Sequence, residues 1–253
     1  MRTHRAWLVV ALACMLALSA CGDSSGSNAG TFDGVWSGTL VDTSTPAPIR
    51  IELEQRQEGR SLHGVVRLVG DDAIHHARLT GTVSGDTVDW MAHFAGGVGT
   101  LHARGQGRRE SMTLSYDTDG TTLGGGTGTL SFDEPGGTSY AGAWVLSWAA
   151  QPPDIPIAGS FCLAVVEEDG INTIVQVFNG QVPDGSIIIA EGSVVGDTLS
   201  YTIELTGDSP YTYMFNFPPT PFGSGGTFSG SVSLLGNTTP ANGTFTMQQG
   251  SGC

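Results

Sequence analysis

Apolar and polar side chains alternate along most of the chain after its N-terminal segment. Ile51 and Leu53, for example, are interleaved with Arg50, Glu52 and Glu54. Because successive side chains of a β-strand point to opposite faces, this period of two predicts strands with one apolar face and one solvated face. No stretch keeps the period of about 3.6 residues that marks an amphipathic helix. The pattern therefore predicts an all-β protein.

Each half of the chain contains about eight strand-like segments separated by turn residues. In the first half they are expected near residues 33–41, 48–56, 61–69, 73–83, 86–94, 98–106, 110–116 and 126–133. In the second half they are expected near residues 141–149, 157–166, 171–178, 186–195, 197–205, 210–217, 226–235 and 242–249. Short connections favour meanders that close on themselves and so lose their edges. The expected fold is two tandem antiparallel eight-stranded meander barrels, or sandwich-like barrels.

The two halves also resemble each other in sequence. The segment GTVSGDTVDW at residues 81–90 aligns with GSVVGDTLSY at residues 192–201, an offset of 111 residues. A duplication explains the match, and chance similarity between Gly- and Thr-rich strands is the alternative. The breaker-rich segment Asp133–Ser139 is the expected join, with the Pro-rich residues 151–156 as a second choice. The expected β-barrel repeats are residues 32–133 and 139–253.

Each repeat opens on a Gly-x-Trp motif, which ends at Trp36 in the first repeat and at Trp144 in the second. The motif resembles the Gly-x-Trp that opens lipocalins and the Gly-Thr-Trp that opens avidins. The resemblance implies small barrels able to hold a ligand. It covers three residues in each repeat, and no ligand-binding residue of either family can be carried over.

The first twenty residues are typical of a bacterial export signal. Arg2 and Arg5 precede a 13-residue apolar run at residues 6–18, which is too short to span a bilayer. The motif LSAC, which ends at Cys21, resembles the lipobox of bacterial lipoproteins. The resemblance implies that the signal peptide, residues 1–20, is removed and that Cys21 is acylated, for example with palmitate. The alternative is an ordinary signal peptide with a cysteine at its cleavage site.

The residues after Cys21 form the expected link to the membrane. Residues 22–30 hold no large apolar side chain, so we expect residues 21–31 to form a lipidated flexible tether. An Asp directly after the lipidated cysteine retains some lipoproteins at the inner membrane, but here that position is Gly22. We therefore expect a cell-envelope protein that is lipid-anchored to a membrane, at the outer membrane if the cell has one.

Charge excludes one class of partner. The mature chain carries eight Arg, no Lys and 24 acidic residues, a net charge of −16. Nucleic-acid binding requires cations that displace phosphate counterions, so DNA and RNA are not expected partners. The acidity is typical of a soluble surface.

Motifs for catalysis and for metal binding were not found in the sequence. It contains neither G-x-S-x-G nor S-x-x-K, and the second repeat has no His, Lys or Arg. We expect no enzyme, no cofactor and no metal site. The histidines of the mature chain are expected to be solvated residues of the outer faces; they are His63, His75, His76, His93 and His102.

A turn at residues 96–97 would pair two neighbouring strands in a defined register. It would place Met91 opposite His102, and Asp89 opposite Arg104.

Aromatic residues of the second repeat are the candidate ligand-binding residues. Tyr211, Tyr213, Phe215 and Phe217 alternate along one strand, and Tyr201 lies on the apolar face of the preceding strand. These rings could line a cavity for a flat or acyl ligand, or form a solid aromatic core. The expected function is a non-catalytic binding module for a small or lipid-like ligand. The alternative is a structural or adhesive envelope protein with packed barrels.

Acylation of Cys21 is directly testable. Mass spectrometry of the mature N-terminus is expected to show a diacyl- or triacylglyceryl cysteine. The Cys21→Ala protein is expected to carry no lipid and to retain its signal peptide. Normal processing and membrane association of that variant would contradict lipidation.

A disulfide between Cys162 and Cys253 is a second expectation. Cys14 leaves with the signal peptide and Cys21 is acylated, so these two thiols form the remaining pair in an oxidising compartment. Closing a loop of about 90 residues contributes roughly 4–5 kcal/mol in the chain-entropy model. Alkylation under native oxidising conditions is expected to label neither thiol. Labelling of both without reductant would exclude the bond.

Overall fold

The computed structural model describes residues 32–70, 73–108, 110–151, 157–181, 186–207 and 211–250. Across these ranges the regular structure is β-strand and no helix occurs, so no helix there could cross a membrane. The strands form two antiparallel eight-stranded barrels, which confirms the predicted fold class. The predicted signal peptide, the tether, Cys21 and Cys253 lie outside the described residues.

The first barrel is closed. Its strands pair in sequence order, and the first also pairs with the last. They are β1 (Gly34–Asp42), β2 (Ile49–Glu58), β3 (Ser61–Val69), β4 (Ile74–Ser84), β5 (Thr87–Phe94), β6 (Gly99–Arg108), β7 (Ser111–Thr118) and β8 (Gly126–Glu134). Residues 95–98 connect β5 to β6 in the predicted register, with Asp89 opposite Arg104 and Met91 opposite His102.

The second barrel is nearly closed. Its strands are β9 (Gly142–Gln151), β10 (Ile157–Glu168), β11 (Ile171–Gln181), β12 (Ser186–Val195), β13 (Thr198–Gly207), β14 (Tyr211–Pro221), β15 (Gly225–Leu234) and β16 (Asn237–Gln249). The sheet runs in the order β11-β10-β9-β16-β15-β14-β13-β12, so β9 pairs with β16 and the sheet ends at β11 and β12. These two consecutive strands are not hydrogen-bonded neighbours, and we call the gap between them the seam.

The Gly-x-Trp motifs play the same structural role in both barrels. The indole N–H of Trp36 donates a hydrogen bond to the carbonyl of Phe32, at 3.1 Å. The indole N–H of Trp144 donates to the carbonyl of Tyr140, at 2.9 Å. Each Trp is buried in the core of its barrel and holds down the chain segment that enters the first strand. A buried indole needs an acceptor, and a carbonyl four residues earlier supplies it.

Part of the outer face of the first barrel is buried instead of solvated. Glu52 and Glu54 on β2 are 4% and 1% exposed, and Arg67 on β3 is 2% exposed. The alternating pattern assigned both carboxylates to solvent, and this expectation is wrong. The reason is tertiary: β2, β3 and β4 contact β11, β12 and β13 of the second barrel, and both barrels belong to one compact unit.

The turn between β12 and β13 docks onto these buried charges. The guanidinium of Arg67 forms an ion pair with Glu52 and donates to the hydroxyl of Thr198, at 2.5 Å. One carboxylate oxygen of Glu54 accepts from the backbone N–H of Gly196, at 3.0 Å. The other accepts from the N–H of Gly137, at 2.9 Å, in the segment that joins the barrels. The second barrel is thus attached to the first through hydrogen bonds to charged groups.

Burial also affects the ionisation of these groups. It raises the pKa of Glu54, although the hydrogen bonds from Gly137 and Gly196 oppose the effect. Burial lowers the pKa of Arg67, and the neighbouring Glu52 opposes that change. A small apolar cluster made of Val35, Val65, Ile171 and Val195 adds direct contact between the barrels.

Removing the Arg67 side-chain charge is expected to destabilise the protein strongly. Arg67→Met leaves Glu52 buried with only the exposed Arg50 as a partner, and breaking a buried pair costs about 3–5 kcal/mol. The matched control is Arg104→Met, which breaks an exposed pair with Asp89 and is expected to cost less than about 1 kcal/mol. Urea unfolding measures both. Equal losses would show that the Arg67 pair does not hold the barrels together.

Candidate functional site

The structure brings the predicted aromatic residues together in the second barrel. Pairing of β13 with β14 places Tyr201 opposite Phe217 and Leu205 opposite Tyr213. The rings of Tyr201 and Phe217 stack with centroids 4.2 Å apart. The rings of Tyr211 and Tyr213 stack at 6.1 Å.

These rings pack against further core aromatics. Phe215 lies 5.2 Å from Trp148 and 5.1 Å from Phe228, measured between ring centroids. Phe217 lies 4.6 Å from Phe228. Phe215 and Phe217 are fully buried, as expected of a packed aromatic core. The concave regions described below are lined by other residues, and a ligand-lining role for the five predicted aromatics stays a prediction.

Two polar atoms in this core, the indole nitrogen of Trp148 and the hydroxyl oxygen of Tyr201, have no hydrogen-bond partner among the described residues. The hydroxyl of Tyr201 is buried and accepts or donates no hydrogen bond within the described part of the chain. Burial raises the pKa of this phenol well above its usual value. The hydroxyl is therefore neutral and is a hydrogen-bonding group within an otherwise apolar interior.

An apolar pocket of about 280 Å³ lies at one end of the first barrel. At this end the chain passes from β1 to β2, from β3 to β4, from β5 to β6 and from β7 to β8, and each connection contributes to the wall. The described lining residues are Thr45, Ala47, Pro48, Ile49, Leu68, Gly70, Ala73, His75, Val98, Thr122 and Leu123. None of them is an acid, an Arg or a Lys. The mouth of a β-barrel is a common location for a small-ligand site, and we call this pocket the mouth pocket.

His75 is the titratable side chain among those lining residues. It is paired in register with Leu68, whose side chain is in the core. Burial lowers the pKa of His75, so the imidazole is neutral near neutral pH and can donate or accept a hydrogen bond. The expectation that the histidines are solvated on the outer faces is wrong for His75, which is half-buried, and for His76, which is 7% exposed. It holds for His93 and His102, which are exposed.

The loops around the mouth pocket are fixed by a buried carboxylate, Asp42. It accepts hydrogen bonds from the N–H of Ser44 at 2.7 Å, from the hydroxyl of Tyr116 at 2.8 Å, and from the N–H groups of Gly124 and Gly125 at 3.2 Å. Burial by itself would raise the pKa of Asp42, but the hydrogen bonds from Ser44, Gly124 and Tyr116 lower it to about 2. Burial raises the pKa of Tyr116, and its hydrogen bond to the Asp42 carboxylate raises this pKa further. Asp42 thereby ties the end of β1 to the loop before β8.

A metal centre is not apparent. In the ranges that the structure describes, no three His, Cys, Asp or Glu side chains are grouped so that they could hold a metal ion. His93 and His102 lie on neighbouring strands, and the imidazole of His93 is hydrogen-bonded to Thr100 at 3.0 Å.

Comparison with known proteins identifies no family. No family model matches the sequence, and no curated protein matches it. The solved structures that it matches include kievitone hydratase from Nectria haematococca, with 8% identity over 87% of this chain and 90% of that chain and a TM-score of 0.25. A protein of unknown function from the DUF3598 family of Nostoc punctiforme has 10% identity over 85% of this chain and 96% of that chain, with a TM-score of 0.23.

A third match is the core factor of S. cerevisiae, with 9% identity over 87% of this chain and 58% of that chain and a TM-score of 0.20. Similarities this low carry no argument about function. The fold is assigned from the strand order of this protein, whose two eight-stranded barrels fit a lipocalin-like fold.

Replacing the Asp42 carboxylate is expected to remove a pH-dependent part of the stability. The folded pKa of about 2 lies below the ordinary value of 3.8, so the stabilisation is present above pH 4 and is lost as the pH falls from about 4 to about 2. In Asp42→Asn an amide NH₂ group, which cannot accept hydrogen bonds, replaces one of the two carboxylate oxygens that accept from backbone N–H groups. The substitution is expected to lower the free energy of unfolding by about 1–3 kcal/mol at neutral pH.

Urea unfolding between neutral pH and pH 3 measures this difference. The wild type and the control Asp86→Asn, which alters an exposed carboxylate, are expected to lose stability together on acidification. The Asp42→Asn protein is expected to lose less over the same interval. An unchanged pH dependence in Asp42→Asn would contradict the assignment.

Proposed function

We propose that this protein is an exported lipoprotein of the cell envelope that binds a small apolar ligand without transforming it. Acylation of Cys21 anchors it to a membrane, and the residues up to position 31 keep the barrels away from the membrane surface. The lipobox resemblance and the absence of Lys from the whole chain support attachment through lipid rather than through anionic headgroups.

The mouth pocket is the observation that carries the binding proposal. Its walls are mostly aliphatic, and it opens at the end of a closed barrel whose interior is filled by buried side chains that include Trp36 and Trp90. Ligand pockets usually measure roughly 300–1,000 Å³, so a pocket near the lower limit fits a small molecule. The described lining carries no formal charge when His75 is neutral, which favours an uncharged ligand.

His75 gives the pocket a polar contact. A neutral imidazole on an aliphatic wall can orient a ligand through one hydroxyl or carbonyl group. Asp42 and its four partners keep the surrounding loops in place before the ligand arrives, and such preorganisation reduces the entropy that binding must overcome. Neither Ser nor Cys is among the described lining residues, and we propose no reaction there.

A structural role in the envelope is the second candidate. The aromatic interior of the second barrel and the buried charges between the barrels favour it, because both produce a rigid body. The two candidates differ in whether the wild type binds an apolar probe saturably.

Titration with the neutral fluorophore N-phenyl-1-naphthylamine tests the proposal. The mature chain with Cys21→Ser, which lacks the acylation site, is expected to bind one equivalent with increased fluorescence. Ala73→Trp places an indole in the mouth pocket and is expected to weaken binding by about tenfold or more. The control Met91→Trp introduces the same ring on the outer face, where Met91 is 45% exposed, and is expected to leave binding unchanged.

Phe215→Ala distinguishes the mouth pocket from a site in the second barrel. As a packed core residue, Phe215 is expected to lose about 3–5 kcal/mol of stability on truncation with no change in probe affinity. Loss of affinity with little loss of stability would locate the ligand among the aromatics of the second barrel. Absence of saturable binding in the wild type would overturn the binding proposal and favour the structural role.

A further inference from the structure

A second concave region lies where the seam of the second barrel faces the first barrel. It has a volume of about 500 Å³ and is bounded by the start of β11, the end of β12 and the outer faces of β3, β4 and β5. We call it the seam cleft. It differs from the mouth pocket in that its walls come from both barrels and carry charged side chains.

The deep part of the seam cleft holds a buried imidazole. The Nδ1 atom of His76 lies 3.0 Å from the hydroxyl oxygen of Ser193, which reaches it from the second barrel. The Nε2 atom of His76 is buried and has no hydrogen-bond partner in the described ranges. Burial, together with the charges of Arg67 and His75, lowers the pKa of His76 to about 3. The ring is therefore neutral, and Nε2 donates or accepts according to the direction of the Ser193 hydroxyl.

The rim of the seam cleft carries charges of opposite sign on opposite sides. Arg78 projects from β4 of the first barrel and Glu191 from β12 of the second, and both are exposed. They form no ion pair with each other or with other described residues at 4.0 Å or less. Arg78 is one of only eight Arg residues in a mature chain with 24 acids, and its exposed guanidinium is accessible to a ligand at the rim of the seam cleft.

The remaining walls narrow the choice of ligand. Val65 and Ile174 supply aliphatic surface, and no Phe, Tyr or Trp is among the described lining residues. A sugar ring would find no aromatic platform there. A molecule with a carboxylate at one end and an ammonium at the other would match the rim, and a central amide would meet the unpartnered imidazole.

We propose that the seam cleft binds a small zwitterion, an amino acid or a short peptide, with its carboxylate on Arg78, its ammonium on Glu191 and its central polar group toward His76. The guanidinium and the carboxylate form charge-assisted hydrogen bonds that neutral side chains cannot replace. Because the ligand contacts both barrels, it also stabilises their docking by mass action. This site is independent of the mouth pocket.

Isothermal titration calorimetry with the dipeptide Ala-Ala tests the proposal on the mature Cys21→Ser chain. Saturable binding in the millimolar range or tighter is expected. N-acetylated Ala-Ala, which lacks the ammonium, and Ala-Ala amide, which lacks the carboxylate, are each expected to bind about tenfold more weakly or worse. The peptide blocked at both ends is expected not to bind.

Two substitutions assign each charge to its side of the cleft. Arg78→Gln is expected to weaken Ala-Ala about tenfold and to leave the affinity for Ala-Ala amide unchanged. Glu191→Gln is expected to weaken Ala-Ala and to leave N-acetylated Ala-Ala unchanged. Arg104→Gln removes an exposed guanidinium outside the cleft and is the matched control, with no expected effect.

Several results would overturn the proposal. They are no saturable heat with Ala-Ala, equal affinity of the free and the doubly blocked peptide, or equal affinity of Arg78→Gln and Arg104→Gln. A saturating concentration of N-phenyl-1-naphthylamine is expected not to displace Ala-Ala. Competition between the two ligands would place both in the mouth pocket and would exclude the seam cleft as a binding site.

Discussion

The buried ion pair between Arg67 and Glu52, together with the neighbouring carboxylate of Glu54, determines how the two barrels form one body. Taking these groups out of water is unfavourable unless every charge finds partners. The turn at Gly196 and Thr198 supplies several of them. A hydrophobic contact of the same area would tolerate sliding, whereas these hydrogen bonds fix one orientation. The geometry of the seam cleft depends on that orientation, because its walls come from both barrels.

The strands could be predicted from the sequence because every strand of a barrel turns one face toward the same apolar interior. Alternation along β5 or β14 records which side chains face that interior, and short turns restrict each strand to pairing with the next. The same alternation could not show which part of the outside is covered. Glu52, Glu54 and His76 occupy positions that alternation assigns to solvent, and they are buried because a second barrel lies on them.

The candidate sites show a similar division. Neighbouring strands place Tyr201 beside Phe217, and this proximity followed from the sequence because the two strands are consecutive. The mouth pocket did not follow, because Ala47, Leu68, Val98 and Leu123 come from separate parts of the chain and meet only when the barrel closes. Single aliphatic residues near turns do not show in the sequence that they will line a common pocket. Arg78 and Glu191 are likewise distant in sequence, and they line the same cleft only because the two barrels dock.

Because the second barrel is not fully closed, its two edge strands need to be covered, and the first barrel covers part of them. An eight-stranded sheet that ends at β11 and β12 has two edges, and bare edges recruit strands from other molecules and start aggregates. Here β2, β3 and β4 lie across one end of the seam, so the companion domain shields it as a covering helix or loop does elsewhere. Docking of the two barrels thus lets the first remain a closed barrel while the second keeps an opening whose bare strand edges would promote aggregation in an isolated domain.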